Sequence, residues 1–197
     1  MNIMLIGGAG SGKSTVLHYL KEHYGARTIQ TDCIAHELYE PGKKGYAAAV
    51  KILGEKIIKK DGTLDRELMA DILFGNPESL KRLDDVLHPM VWNEVEKKIA
   101  SEGKGRFVAV ETALLPKRKS DLLNEVWYVC TSKDGRIRRL QTERGYSLER
   151  TLAVFREQPS DGEYQKMADR VLMNEDSPEK LEEQIDLLLS GKAEKEK

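Results

Sequence analysis

The 197-residue chain has only two cysteines, Cys33 and Cys130, and they form neither a CxxC pair nor a metal-ligand spacing. So sparse a use of cysteine fits a reducing cytoplasm. Both are expected to act as small buried apolar residues. No apolar run approaches membrane-spanning length, and the chain enters an apolar stretch at Ile3 without a secretory signal ahead of it. Excess charge of one sign is also missing: Lys and Arg total 32 against 33 Asp and Glu, for a net charge of -1. That balance argues against a general nucleic-acid binder. There is no internal repeat, and the one biased segment, Lys192-Ala-Glu-Lys-Glu-Lys197, is expected to be a frayed, solvated end. What the chain does carry is charge, 33% of its residues, as on long exposed helices. Its length allows one α/β core and a small appended region.

The most informative segment is Gly7-Gly8-Ala9-Gly10-Ser11-Gly12-Lys13-Ser14, which matches G-x-x-x-x-G-K-[ST] at every fixed position. Ile3-Met4-Leu5-Ile6 before it reads as a buried strand. Thr15 to His23 after it reads as a helix with Val16, Leu17 and Leu20 on one face. Strand, glycine loop and helix aim backbone N–H groups and a helix N-terminus at phosphate oxygens. Gly8, Ala9, Gly10, Ser11, Gly12 and Thr15 are thus candidate nucleotide contacts. Lys13 is expected to reach the β- and γ-phosphates of ATP, and Ser14 to hold Mg2+.

Further strands are expected at Arg27 to Thr31, Arg106 to Glu111, Val126 to Cys130 and Arg170 to Met173, with helices between them. This alternation predicts an α/β fold, a five-stranded parallel sheet covered by helices on both faces. Residues 1–33, 103–132 and 166–197 would form the core. Residues 34–102 are mostly helical, with turn signals at Pro41-Gly42 and Asp61-Gly62, and are expected to be a substrate-side subdomain. Residues 133–165 carry six arginines. Two helices joined near Gly145-Tyr-Ser147 would form a lid there.

Chemistry is expected at the carboxyl ends of the strands. Asp32 follows the second strand, where a carboxylate either accepts a proton from a hydroxyl attacking the γ-phosphate or caps the next helix. Glu111 ends the third strand, where it either binds Mg2+, directly or through water, or faces solvent. Of the six arginines, Arg139 and Arg144 are the candidates for phosphate contact, the others being read as a solvated face. His88 and the turn from Asp61 to Arg66 read by themselves as structural.

Taken in order, these segments resemble the dephospho-coenzyme A kinase family from Ile3 to about Leu189. The family's G-G-I-G-S-G-K-S is the glycine loop. Its D-A-D-x-I-A corresponds to Gln30-Thr31-Asp32-Cys33-Ile34-Ala35, followed by Pro41-Gly42. Its D-G-x-x-D-R is met by Asp61, Gly62, Asp65 and Arg66, while the leucine that closes the family's segment is Met69 here, with Leu68 beside it. A helix ending in H-P is matched at His88-Pro89, after Leu73-Phe74, and paired leucines at Leu114-Leu115. Arg139, Arg144 and Gln158 match the lid, and Ala168, Asp169 and Asn174 the closing A-D-x-x-x-x-N.

The resemblance implies transfer of the ATP γ-phosphate to the ribose 3′-hydroxyl of dephospho-coenzyme A. Asp32 would be the base, Arg139 and Arg144 phosphate-binding lid residues, and Asn174 a neighbour of the adenine. His88 and Leu114 would lie in the acceptor pocket. It implies a cytoplasmic enzyme with small-molecule partners, ATP and dephospho-coenzyme A, and no nucleic acid or membrane partner. The chain would be a monomer or weak homo-oligomer. The sequence departs from the pattern at Gln30, in place of an Asp, and at Lys117, in place of an acid. An arginine expected near the I-x-x-Q position of the lid is also not evident, although Arg156 is close. Two alternatives follow: a kinase of another small acceptor, or a catalytically weak nucleotide-binding relative. A GTPase-type switch would read guanine through N-K-x-D, which the sequence lacks.

Overall fold

Five short runs rich in β-branched and apolar residues assemble into one sheet. The strands are β1 (Asn2–Ile6), β2 (Arg27–Gln30), β3 (Val108–Glu111), β4 (Glu125–Cys130) and β5 (Arg170–Met173). They lie in the order β2-β3-β1-β4-β5. The β1–β3, β1–β4 and β4–β5 ladders are parallel, with Met4 opposite Val110 on one side and Val126 on the other. The structure is a computed structural model that describes residues 1–103, 105–113, 115–116, 119–175 and 177–191. Its contacts separate two compact units, Met1–Ile29 with Glu102–Lys197, and Gln30–Ser101.

In the first unit, Ile3 and Leu5 of β1 alternate with Met4 and Ile6, so the central strand is buried on both faces. One face packs on α1 (Lys13–Tyr24) through Val16, Leu17 and Leu20, and on α9 (Pro178–Leu189) through Leu181 and Ile185. Each such side chain contributes about 2 kcal/mol by leaving water. Trp127 lies fully buried in that cluster, and its Nε1–H is satisfied by Glu125 at 2.6 Å. On the other face, Tyr128 stacks on Tyr164 at 5.4 Å. Tyr164 belongs to α8 (Asp161–Met167). The Tyr128 hydroxyl donates to Asp161 and the Tyr164 hydroxyl to the Ala113 carbonyl. Burial, with Asp161 beside it, pushes the Tyr128 hydroxyl well above its ordinary value.

Residues 133–165 thus hold more than the expected helix pair. After α6 (Lys133–Arg144) and α7 (Leu148–Arg156) comes α8, announced by a capping box in which Ser160 and Glu163 satisfy each other's backbone N–H groups. The second strand is a residue shorter than expected, because Thr31 already opens a helix. The third begins at Val108 rather than Arg106.

The second unit is helical: α2 (Thr31–Leu38), α3 (Lys44–Leu53), α4 (Arg66–Phe74) and α5 (Pro77–Ser101). The Asp61 carboxylate accepts from both the amide and the hydroxyl of Thr63, and Asp65 caps α4 by accepting from the Leu68 amide. The helix expected to end at His88-Pro89 instead runs through Pro89 to Ser101. Leu83, Leu87, Val91, Val95 and Ile99 repeat every fourth residue and are all buried. That continuous apolar stripe outweighs the loss of one backbone hydrogen bond at proline. The two cysteines also differ from expectation. Cys33 is exposed because Thr31 and Ile34 take the buried side of α2, and Cys130, the last residue of β4, is half-buried.

Candidate active site

The site begins where β1 stops. The chain from Gly7 to Gly12 wraps the start of α1, with the Ser11 amide donating to Gly8 and the Thr15 and Val16 amides to Gly12. Gly12 has φ +96°, and a Cβ there would lie 2.0 Å from the Asn174 side-chain nitrogen. A Cβ on Gly8 would meet the Arg136 guanidinium at 2.0 Å. The left-handed backbone favours glycine at Gly12, and Gly8 leaves room for the Arg136 guanidinium against the loop. The N-terminal turn of α1 also carries the positive end of the helix dipole, which suits an anion.

Lys13, 6% exposed, donates through Nζ to the carbonyls of Gly7 at 2.8 Å and Gly8 at 3.1 Å. The Ser14 hydroxyl donates to a Glu111 carboxylate oxygen at 3.1 Å. Two hard oxygen donors meet, one from the first turn of α1 and one from the end of β3, a set that fits Mg2+, whose other ligands are ordinarily phosphate oxygens and water. Thr131, following β4, donates its hydroxyl to the Ser11 carbonyl at 2.9 Å. The loop, Glu111 and Thr131 therefore converge within the first unit, as the parallel topology requires.

Three side chains buttress the loop from behind. Arg139 donates to the carbonyls of Gly10, Ser11 and Asn174 at 3.3, 3.2 and 2.8 Å. Asn174 is 7% exposed and donates to the Ser11 carbonyl at 2.8 Å. Arg136 donates through Nε to the Ala9 carbonyl at 3.0 Å and through Nη2 to Gln158 at 2.9 Å. Its guanidinium stacks 4.2 Å above the Phe155 ring and lies 3.7 Å from Asp161. Gln158 also accepts the Ala9 amide at 2.9 Å. Arg136 was not singled out by the sequence reading, although helical spacing points to it: residues 136, 139 and 140 share one face of α6, and Leu140 is buried. Arg144, five residues beyond Arg139, falls on another face. It is exposed and makes no hydrogen bond or ion pair among the described residues.

The remaining candidates lie in the second unit or outside the described residues. Asp32 is exposed in the first turn of α2. It does not cap that helix, whose N-cap is Gln30 with no side-chain capping bond, and its carboxylate has no partner among the described residues. His88 lies inside α5, with Nε2 3.9 Å from Asp84, too long for a hydrogen bond. Leu114 and Lys117 lie outside the described residues.

A loop of this geometry, with a buried lysine and a serine–carboxylate pair, is built to hold a nucleoside triphosphate. Comparison with known proteins agrees. The family model for dephospho-CoA kinase matches residues 1–180. The dephospho-CoA kinase of Carboxydothermus hydrogenoformans is 36% identical over 93% of this chain and 90% of its own length. The crystal structure of TT1252 from Thermus thermophilus is 31% identical and superposes with a TM-score of 0.79 over 97% of each chain. Dephospho-CoA kinase from Campylobacter jejuni, at 22% identity, shares the fold with a TM-score of 0.60 over 96% of each chain. With a complete phosphate loop at the head of the sheet and a family match that runs nearly end to end, this chain belongs to the dephospho-CoA kinase family.

Proposed function

We propose that this protein transfers the γ-phosphoryl group of ATP to the ribose 3′-hydroxyl of dephospho-CoA, releasing ADP and CoA in the last step of CoA synthesis. The observation that carries the reading is the phosphate loop with Lys13 buried beside it and Ser14 bonded to Glu111, in a chain matched by the family model over residues 1–180. Phosphoryl transfer demands positioning and charge neutralisation more than covalent chemistry. The loop amides and Lys13 bind the β- and γ-phosphates. Ser14 and Glu111 would hold Mg2+, which when bound would neutralise charge on the phosphate oxygens. Asp32 accepts the proton as the 3′-oxygen forms its bond to phosphorus and the bond to the ADP oxygen breaks. Arg139 keeps the loop in shape, and Arg144 supplies positive charge from the lid. Asn174 borders the adenine, and His88 and Leu114 belong to the acceptor pocket. Residues 1–33, 103–132 and 166–197 act as nucleotide core, 34–102 as acceptor subdomain and 133–165 as lid.

The reading carries with it a cytoplasmic enzyme that works on small molecules alone, as a monomer or weak homo-oligomer. Among the described residues no helix is long and apolar enough to cross a membrane. The test is ADP release from ATP and Mg2+ with and without dephospho-CoA, with the product weighed for one added phosphate. Strong stimulation and a singly phosphorylated product are expected. ATP binding without stimulation overturns the assignment of the acceptor.

A further inference from the structure

One carbonyl of the phosphate loop, that of Ser11, collects three side-chain donors. It accepts from Thr131 Oγ1 at 2.9 Å, from Arg139 Nη1 at 3.2 Å and from Asn174 Nδ2 at 2.8 Å. A carbonyl oxygen has two lone pairs, so this is one donor more than it has lone pairs to offer. The donors come from separate elements: Thr131 follows β4, Arg139 lies on α6 and Asn174 follows β5. Strands β1, β4 and β5 lie side by side, so their carboxyl ends bring these groups to the loop that leaves β1. Thr131 and Asn174 are buried there. The donors also hold one another. Arg139 donates through Nη2 to the Asn174 carbonyl at 2.8 Å and through Nη1 to the Thr131 hydroxyl at 3.3 Å. The Thr131 proton has a second acceptor in reach, the Asn174 carbonyl at 3.2 Å, but the Ser11 carbonyl is nearer.

The peptide so held joins Ser11 to Gly12. A trans peptide is planar, so fixing the direction of its carbonyl aims its N–H the opposite way. The Gly12 N–H makes no hydrogen bond among the described residues. Gly12 is also the N-cap of α1, where the helix dipole favours an anion. One end of this peptide is therefore crowded with donors, and the other end is a donor still unspent. Donors on a carbonyl polarise the amide and strengthen its N–H in turn, the more so when one of them is a cation. We propose that Thr131, Arg139 and Asn174 are positioning residues that act through the Gly12 amide. They aim its N–H at a phosphate oxygen of the bound nucleotide and strengthen it as a donor. The inference rests on ATP as the phosphoryl donor of the proposed reaction. Because the three bonds exist before the nucleotide arrives, the amide is set without reorganisation at the moment of transfer. Arg139 then serves the phosphates through the backbone rather than by touching them. Asn174, proposed above to border the adenine, ties the base end of the site to its phosphate end.

The test uses the full chain with ADP as the probe. In wild type, the Gly12 amide proton resonance should move downfield when ADP binds, as the bond to a phosphate oxygen forms. Thr131→Val keeps the outline of the side chain and loses its hydroxyl. It should weaken ADP binding about tenfold and reduce the downfield movement, with KM for dephospho-CoA unchanged. Thr131→Ser keeps the hydroxyl and loses the methyl group that lies against Gly135, and should bind ADP as wild type does. A threonine that served packing alone would give the reverse order. Asn174→Asp sets a carboxylate oxygen against the Ser11 carbonyl and should weaken ADP more than Thr131→Val does. A wild-type protein that binds ADP with the Gly12 resonance unmoved, or a Thr131→Val protein that keeps wild-type affinity for ADP, overturns the positioning role even if dephospho-CoA is phosphorylated. A wild-type protein that shows the movement but does not phosphorylate dephospho-CoA overturns the assigned acceptor and leaves the positioning role standing.

Discussion

The two units handle polar side chains in opposite ways. Of the buried polar and charged residues, Ser11, Lys13, Thr112, Ser120, Thr131, Arg136, Thr151 and Asn174 lie in the first unit, and Thr31 alone lies in the second. The second unit's core is an apolar cluster of Ala49, Leu53, Ile57, Leu64, Met69 and Leu83, and its candidate base Asp32 is exposed. Buried polar groups need partners, and Lys13, Thr131, Arg136 and Asn174 find theirs in carbonyls of the phosphate loop. Burial therefore becomes rigidity: a loop tied at Gly7, Gly8, Ala9, Gly10 and Ser11 presents its donors without reorganising. The exposed Asp32 carboxylate has no such tie among the described residues.

That contrast can be broken most severely at Lys13. Lys13→Ala is expected to cut turnover on the order of 1000-fold, with the circular dichroism spectrum unchanged. Asp32→Asn tests the exposed side of the comparison. Turnover should fall on the order of 100-fold or more, while KM for ATP and the melting temperature stay as in wild type. Unchanged turnover removes Asp32 as the base. Arg136→Ala separates rigidity from charge. It leaves the Ala9 carbonyl and one side of Gln158 without their donor, so unfolding free energy should drop by about 2 kcal/mol and KM for ATP should rise. Arg136→Lys should recover little, because an ammonium cannot make the forked bonds or stack on Phe155. Full recovery by lysine would show that charge alone mattered.

The smallest effect is expected at Asp169, far from the chemistry. Burial alone would raise its carboxyl, but the Lys119 ammonium at 2.7 Å and the Val126 amide outweigh that and hold it below the usual carboxylate value. A depressed folded-state value stabilises the fold above the unfolded value, about 3.9, and this contribution is lost as pH falls through the folded value. The side chain is 43% exposed, so solvent screens the pair and the contribution is modest. Asp169→Asn should lower stability at neutral pH in denaturant titrations, with the gap to wild type closing below about pH 4. A gap of the same size at every pH would mean that the carboxylate's charge plays no part.

Much of the nucleotide end was legible because its signals are local. Glycine spacing sets the loop, a continuous apolar run sets β1, and the acid at the end of an apolar strand put Glu111 at the carboxyl edge beside Ser14. Where local rules compete, spacing was the better guide. Arg144 drew attention by its type, yet Arg136 shares the buried face of α6 with Arg139 and Leu140. Pro89 suggested a helix end, yet the fourfold apolar repeat runs on to Ile99. The capping box at Ser160 marks a third helix in a stretch read as two.

The sequence by itself determined the class of chemistry, since the loop's dihedrals, its lysine and its serine are requirements that a few adjacent residues meet alone. It determined the parallel sheet as well, because short apolar strands separated by helices can pair side by side only through crossovers. Only the tertiary structure decided that Asn174 and Arg136 support the loop, since 163 and 127 residues separate them from the carbonyls they bond. Such contacts depend on which distant faces come together in three dimensions, and no spacing along the chain encodes that.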